Sequence, residues 1–295
     1  MNKELLKKKW SSLEIEQQPT WPNEREYDSI IQTLSYYPKI VNEDEIILLK
    51  EDLKLINNKQ SFVIQGGDCA ETFSNFNSSS IKNKLEILLQ MSAIIQYTSK
   101  IPVNIIGRIA GQYVKPRSLK YEVRDGIKLP SYRGDGVNAI DFTKEGRTPN
   151  PQRLLTAYHQ SSSAMNLIRS LIMQGYTNIN NMKSWEKIFL NNELLEKKYN
   201  TIFQQIRETL QFVELSDILQ SSGKNIYISH ESILLDYDNA FINETQNKQH
   251  FCCSGHMLWI GDRTRKLESA HIQFASLIET PIGIKIGPNF NIDDL

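Results

Sequence analysis

The chain has 295 residues, 40% of them hydrophobic and 23% charged, an ordinary globular composition long enough for one large domain or two small ones. Its 34 basic and 34 acidic residues balance, so no global field draws it to nucleic acid or a membrane surface, and anion recognition must come from local clustering. Three cysteines, two of them adjacent (Cys252 and Cys253), make no disulfide framework and fit a reducing cytoplasm. The lysine-rich stretch Met1–Trp10 lacks the apolar run of a signal peptide, and no segment approaches the ~20 apolar residues of a membrane span.

Residues 1–58 read as an N-terminal extension punctuated by Pro19, Pro22 and Pro38, with helical patterns near Tyr27–Leu34 and Glu43–Ile56. Trp10 and Trp21 are expected to dock it onto the rest, and Lys7, Lys8 and Lys9 to form a solvated face. Residues 59–295 read as the main domain. A first strand at Phe62–Gln65 runs into Gly66-Gly67-Asp68-Cys69-Ala70-Glu71, where a core strand ends in ligand-capable side chains. Cys69 reads either as a soft metal ligand or as a small buried hydrophobe. Ser78, Ser79 and Ser80 offer an N-cap for a helix to about Thr98.

A second strand, Val103–Gly107, ends in Arg108, followed by Lys115 and Arg117: three cations in ten residues, either an anion clamp or a solvated basic loop. Leu129–Asn138 reads as a polar loop of the same rim. Pro149-Asn150-Pro151 opens a long helix with Leu154, Tyr158, Met165 and Ile168 on its apolar stripe. A second amphipathic helix or pair is expected over 184–214, with Trp185, Ile188, Phe189, Ile206 and Leu210 as core, so the helical insertion covers about 150–215.

A third strand, Ile226–Ile228, ends in Ser229-His230-Glu231; neighbours on a strand face opposite ways, so one of His230 and Glu231 at most faces a site. A fourth, His256–Ile260, ends in Asp262, Arg263 and Arg265 and leads into a helix carrying Leu267 and Phe274. Cations at a helix N-terminus oppose its dipole, which makes sense if an anion sits between them and the free N–H groups. A fifth strand, Ile282–Asn289, places Lys285 within an apolar run, either snorkelling outward or turned to a polar centre. Strand, polar end and helix repeat along the chain. That argues for an α/β fold of the (β/α)8 TIM-barrel type, with about five of eight strands present and the helical insertion between strands 2 and 3.

Six segments then resemble one family: Gly66–Phe73, Gly107–Ser118, Tyr132–Asp135, Ser229–Glu231, Trp259–Arg265 and Gly283–Pro288. Together they are similar to class II 3-deoxy-D-arabino-heptulosonate 7-phosphate (DAHP) synthase, whose (β/α)8 barrel condenses phosphoenolpyruvate with erythrose 4-phosphate in the first step of the shikimate pathway. The resemblance implies Cys69 as a ligand of a divalent metal, manganese or cobalt. It implies Arg108, Asp262, Arg263 and Lys285 at phosphoenolpyruvate, Lys115, Arg117 and Ser118 near the second substrate, and Glu231 at the reacting centre. Lys115, Glu231 and Lys285 are the candidate catalytic residues. The family often has glutamate at position 262; aspartate keeps the charge on a shorter arm. The resemblance covers about the first two thirds of the family's catalytic domain. Its remaining metal ligands, a histidine, a glutamate and an aspartate, belong to later strands, so the metal site is expected to be incomplete here. The alternative expectation is a non-catalytic or split-enzyme partner that needs a second polypeptide. Homo-oligomers are implied as well.

Overall fold

A computed structural model gives the fold and describes residues 3–115, 117, 119–177, 193–213, 226–288 and 291. Helices α1 (Lys3–Trp10), α2 (Glu24–Tyr36) and α3 (Glu43–Asn57) precede strand β1 (Phe62–Gly67), which leads to α4 (Ser78–Ser99) and β2 (Val103–Arg108). A hairpin of β3 (Tyr121–Arg124) and β4 (Ile127–Pro130) follows, then α5 (Lys144–Arg147), α6 (Gln152–Met173) and α7 (Glu193–Val213). β5 (Ile226–Glu231), α8 (Leu235–Ala240), a second hairpin of β6 (Ile242–Glu244) and β7 (His250–Cys252), β8 (Met257–Ile260), α9 (Ala270–Ser276) and β9 (Ile282–Ile284) come next.

Strands β1, β2, β5, β8 and β9 form one sheet in that order, each pair parallel. Strand order follows chain order without reversal. Such an order fits part of the wall of a (β/α)8 barrel; a doubly wound sheet reverses its order at the ligand crevice.

The two faces of this sheet differ by simple alternation. Ile64, Ile105, Ile226 and Ile228 join the largest core, where helices α2, α4 and α6 contribute Leu34, Leu85, Leu88, Leu154 and Ile168. The opposite face carries Val63, Ile106, Tyr227 and Met257, which pack on Leu49 and Leu53 of α3. Further along the strands that same face turns polar: Gln65 donates to Ser229 (3.1 Å), and Ser229 donates to the Gly107 carbonyl (3.2 Å). Its last residues are Arg108 on β2 and Glu231 on β5. Helix α3 thus closes the amino-terminal half of the face, and the carboxyl-terminal half is left to charged groups.

Helices α2 and α3 belong to these cores, and α1 joins a third one, where Leu6 and Trp10 pack with Leu258, Ala270 and Phe274. Trp10 is buried and meets Phe274 of α9 edge-on at 5.9 Å between centroids, and Trp21 stacks on Tyr27 at 4.7 Å. Lys8 and Lys9 are exposed, and Lys7, its side chain 42% exposed, also pairs with Asp236. A capping box of Asn42 and Glu45 starts α3, and Arg169 of α6 grips the same Glu45 carboxylate at 2.6 and 2.9 Å. Burial raises the Glu45 pKa, but hydrogen bonding to His256, Arg169 and the Asn42 N–H outweighs it and holds the carboxyl well below its usual range.

Several expectations need correction. The N-cap of α4 is Asn77, whose side chain accepts from the Ser80 N–H (2.8 Å); all three serines lie inside the helix. Leu129 and Pro130 belong to β4, since Asp125 and Gly126 (φ 49° and 77°) form the tight Asp-Gly turn that closes a hairpin. The fifth strand stops at Ile284, leaving Lys285 one residue beyond it. Of the second amphipathic stretch, α7 begins at Glu193 and buries Ile206; Trp185, Ile188, Phe189 and the Leu210 side chain lie outside the described residues. No helix among the described residues is long and apolar enough to cross a membrane.

Candidate active site at the strand ends

The sheet brings nearly every candidate residue to one rim, the carboxyl ends of its five strands. Arg108 ends β2, and its guanidinium lies over the Trp259 ring of β8 at 4.7 Å. One Arg108 N–H reaches the Cys69 carbonyl at 3.5 Å, while Arg108 Nε is buried without a hydrogen-bond partner. Cys69 is an exposed thiol in the loop after β1, so it is not a small core hydrophobe.

Lys115 follows β2 and ion-pairs with Glu231, the last residue of β5. The pair is largely shielded, with side chains 18% and 5% exposed, which strengthens the attraction relative to a surface bridge. A Cβ at Gly261 would collide with the Glu231 carboxylate, so a larger residue there would push that carboxylate from its present position. His230, one residue back, faces the other way and bonds Asp238 at 3.0 Å, as strand alternation requires. Asp238 also accepts from Ser232 (2.6 Å) and Ser254 (2.9 Å), so this histidine serves a buried structural network.

The remaining candidates lie further out. Arg117 is exposed, with its guanidinium 5.8 Å from the Tyr132 ring centroid; Ser118 lies outside the described residues. Asp262 and Arg263 are exposed in the loop after β8, and Asp262 accepts from Arg265 at 3.0 Å. That loop does not start a helix: α9 begins at Ala270 with Ser269 as its cap, so the expected anion site between Arg263, Arg265 and a helix N-terminus is not formed. Leu267, expected on that helix, precedes it and is 60% exposed. Lys285 is exposed at the end of β9, its N–H donating to the Ile260 carbonyl (2.9 Å). Alternation puts it on the face of Gly283, where a Cβ would meet the Met257 and Trp259 side chains.

Three groups escaped the sequence reading. Glu71 is buried and accepts from three successive backbone N–H groups, Ala110 (3.1 Å), Gly111 (2.9 Å) and Gln112 (2.9 Å). Gln112 in turn accepts from the Glu231 N–H (3.0 Å) and donates to the Val114 carbonyl (3.0 Å). Asp135 gathers the Phe73 N–H (2.7 Å) and the Tyr132 hydroxyl (2.8 Å), tying the 131–138 loop to the loop after β1. Burial, then the Asp135 carboxylate, pushes the Tyr132 phenol up, so it stays a donor. Each of these contacts spans 39 or more residues except the Tyr132–Asp135 bond and the Gln112–Val114 bond, and local pattern carries no signal for the long ones.

Among the described residues no three histidine, cysteine, aspartate or glutamate side chains converge to hold a metal ion. Cys69 alone is one donor, and one thiolate does not fill a coordination sphere. The described residues therefore do not by themselves fit a metal centre.

Residues 5–295 match the model of the Class-II DAHP synthetase family. The chain belongs to that family. Two curated relatives agree, each bearing the name phospho-2-dehydro-3-deoxyheptonate aldolase. The Streptomyces coelicolor protein is 40% identical over 288 residues, 97% of this chain and 64% of that protein. The Neurospora crassa protein is 35% identical over 304 residues, 97% of this chain and 63% of that protein. The chain thus spans less than two thirds of the relatives' own length. The Lys115–Glu231 pair lies at the carboxyl ends of the strands, the end at which (β/α)8 enzymes place their chemistry.

Proposed function

We propose that the strand ends bind phosphoenolpyruvate and that the protein serves the DAHP synthase reaction, the entry to aromatic biosynthesis. The observation that carries this reading is Arg108: a guanidinium over the Trp259 ring at the end of a central strand, with a buried Nε that has no protein acceptor. Leaving such a donor unsatisfied is costly, and a bidentate carboxylate or phosphate would satisfy it. Arg263 and Lys285 rise from the neighbouring loops to share the charge of the same anion, with Asp262 orienting Arg265 beside them. Lys115, Arg117 and Ser118 are assigned to the phosphorylated second substrate by family resemblance.

In the reaction, C3 of phosphoenolpyruvate bonds to the aldehyde carbon of erythrose 4-phosphate. Water adds at C2, and the C2–O bond to phosphate breaks to release inorganic phosphate. Within the pair, Lys115 is the proton donor suited to the developing alkoxide, and Glu231 the base suited to the attacking water. The divalent cation implied by the family, manganese or cobalt, has one candidate ligand here in Cys69; its other ligands come from outside the described residues. A reducing cytoplasm, which the three free cysteines fit, is the setting, and a homo-oligomer the expected assembly.

A second reading, a subunit completed by another polypeptide, is favoured by the sheet itself. Among the described residues β1 and β9 each have a partner on one side only, and Phe62, Ile284 and Ile286 are 50%, 44% and 54% exposed. One assay covers both readings. The purified chain with both substrates and manganese is expected to release no phosphate above blank. Mixed with a polypeptide carrying the part of the Streptomyces relative that the chain does not match, it is expected to release phosphate only when metal and both substrates are present. Turnover by the chain alone would remove the need for a completing segment. A stably assembled mixture without turnover would overturn the synthase assignment.

A further inference from the structure

We propose that Glu71 is a positioning residue: it locks the loop carrying Cys69 to the loop carrying Lys115 and to the end of β5 that bears Glu231, with Lys84 as its counter-charge. Three successive N–H groups converging on one point form an anion-binding nest. Here the chain supplies the anion itself, from a carboxylate 5% exposed. The clamp is two-way, since the Glu71 N–H returns to the Gln112 carbonyl at 2.8 Å. Ala110 has φ of +65°, a left-handed conformation that a non-glycine residue keeps only where its surroundings impose it.

The clamp extends to a third strand end. With its backbone fixed by Glu71, Gln112 spends its side-chain oxygen on the Glu231 N–H and its amide N–H on Val114, the neighbour of Lys115. On the other side, Lys84 of α4 lies 2.6 Å from Asp68 and 3.8 Å from Glu71, one cation between the two acids that flank Cys69. A single buried charge therefore sets the ends of β1, β2 and β5 relative to one another. The functional weight of that setting rests on the synthase reading, but its test requires no turnover, so an inactive protein and a missing clamp give separate results.

The test compares Glu71→Gln and Glu71→Ala in the full chain by residue-resolved amide exchange and by the rate of Cys69 alkylation with iodoacetamide. Cys252 and Cys253 are 0% exposed, so the fast-reacting thiol is Cys69. Glutamine keeps one oxygen for the Gly111 and Gln112 N–H groups but turns its own N–H₂ on Ala110. Exchange at Ala110 is expected to rise about tenfold or more in Glu71→Gln, with Gly111 and Gln112 less affected. All three are expected to rise in Glu71→Ala, and Cys69 alkylation to accelerate about threefold or more in both variants. Should the alanine variant not fold, the contrast between Ala110 and Gly111 in Glu71→Gln decides alone. Wild-type exchange at Ala110, an equal rise at all three amides in Glu71→Gln, or an unchanged Cys69 rate would overturn the proposal.

Discussion

Replacing Arg147 with methionine is expected to lower the unfolding free energy by about 3–5 kcal/mol. Arg147 is 1% exposed, and its guanidinium satisfies five acceptors. Two are the Glu122 carboxylate oxygens, at 3.1 and 3.2 Å; the others are the carbonyls of Pro130 (3.3 Å), Ile140 (3.0 Å) and Asp141 (3.0 Å). Methionine fills the volume but returns nothing to these acceptors. The Glu122 side chain is 24% exposed, so water repays part of the loss and the cost falls toward the lower end of the range. The Arg147 hydrogen bond outweighs burial and holds the Glu122 carboxyl below its usual range.

The damage reaches the site through the hairpin that this pair anchors. Ser131, just after β4, holds Leu119 and Lys120 through their carbonyls at 2.6 and 3.0 Å, and so shapes the loop that bears Arg117. Urea unfolding followed by circular dichroism is the check. Arg147→Lys is expected to recover less than half of the loss, because an ammonium cannot fork onto Glu122 while reaching three carbonyls.

Gly134→Ala is expected to cost about 2–5 kcal/mol, the sum of a left-handed backbone penalty and an overpacked contact. Gly134 has φ of +96°, and a Cβ there would drive into the Tyr113 carbonyl and stand 2.7 Å from the Lys115 nitrogen. Both are backbone atoms of the segment that presents Lys115 to Glu231, so no side-chain rotation relieves the clash. The Gly136 N–H donates to the same Tyr113 carbonyl (2.9 Å), and the Lys115 N–H donates to Arg133 (2.9 Å). The thermal midpoint is expected to fall, together with any binding that depends on Lys115.

The parallel strands were legible because each is a short apolar run closed by glycine or a polar group, as in Phe62–Gly67 and Val103–Arg108. Their order in the sheet followed from helices between them, and the rim followed from polar residues at each strand end. Asp125-Gly126 was a readable hairpin signal that the surrounding charged residues obscured. What sequence could not carry was contact at long range. Nothing around Glu71 announces three amides some 40 residues away, and nothing around Arg147 announces Glu122. The helix placed directly after Arg263 begins later, at Ala270, where the Ser269 side chain accepts from the Ile272 N–H.

The most direct measurement is titration of the purified chain with phosphoenolpyruvate, followed by calorimetry at low salt, for the wild type and for Arg108→Gln. Saturable binding with a dissociation constant of about 1 mM or tighter is predicted, weakened about tenfold or more in the variant. No saturation up to about 10 mM, or equal affinity in Arg108→Gln, would contradict a phosphoenolpyruvate site at these strand ends.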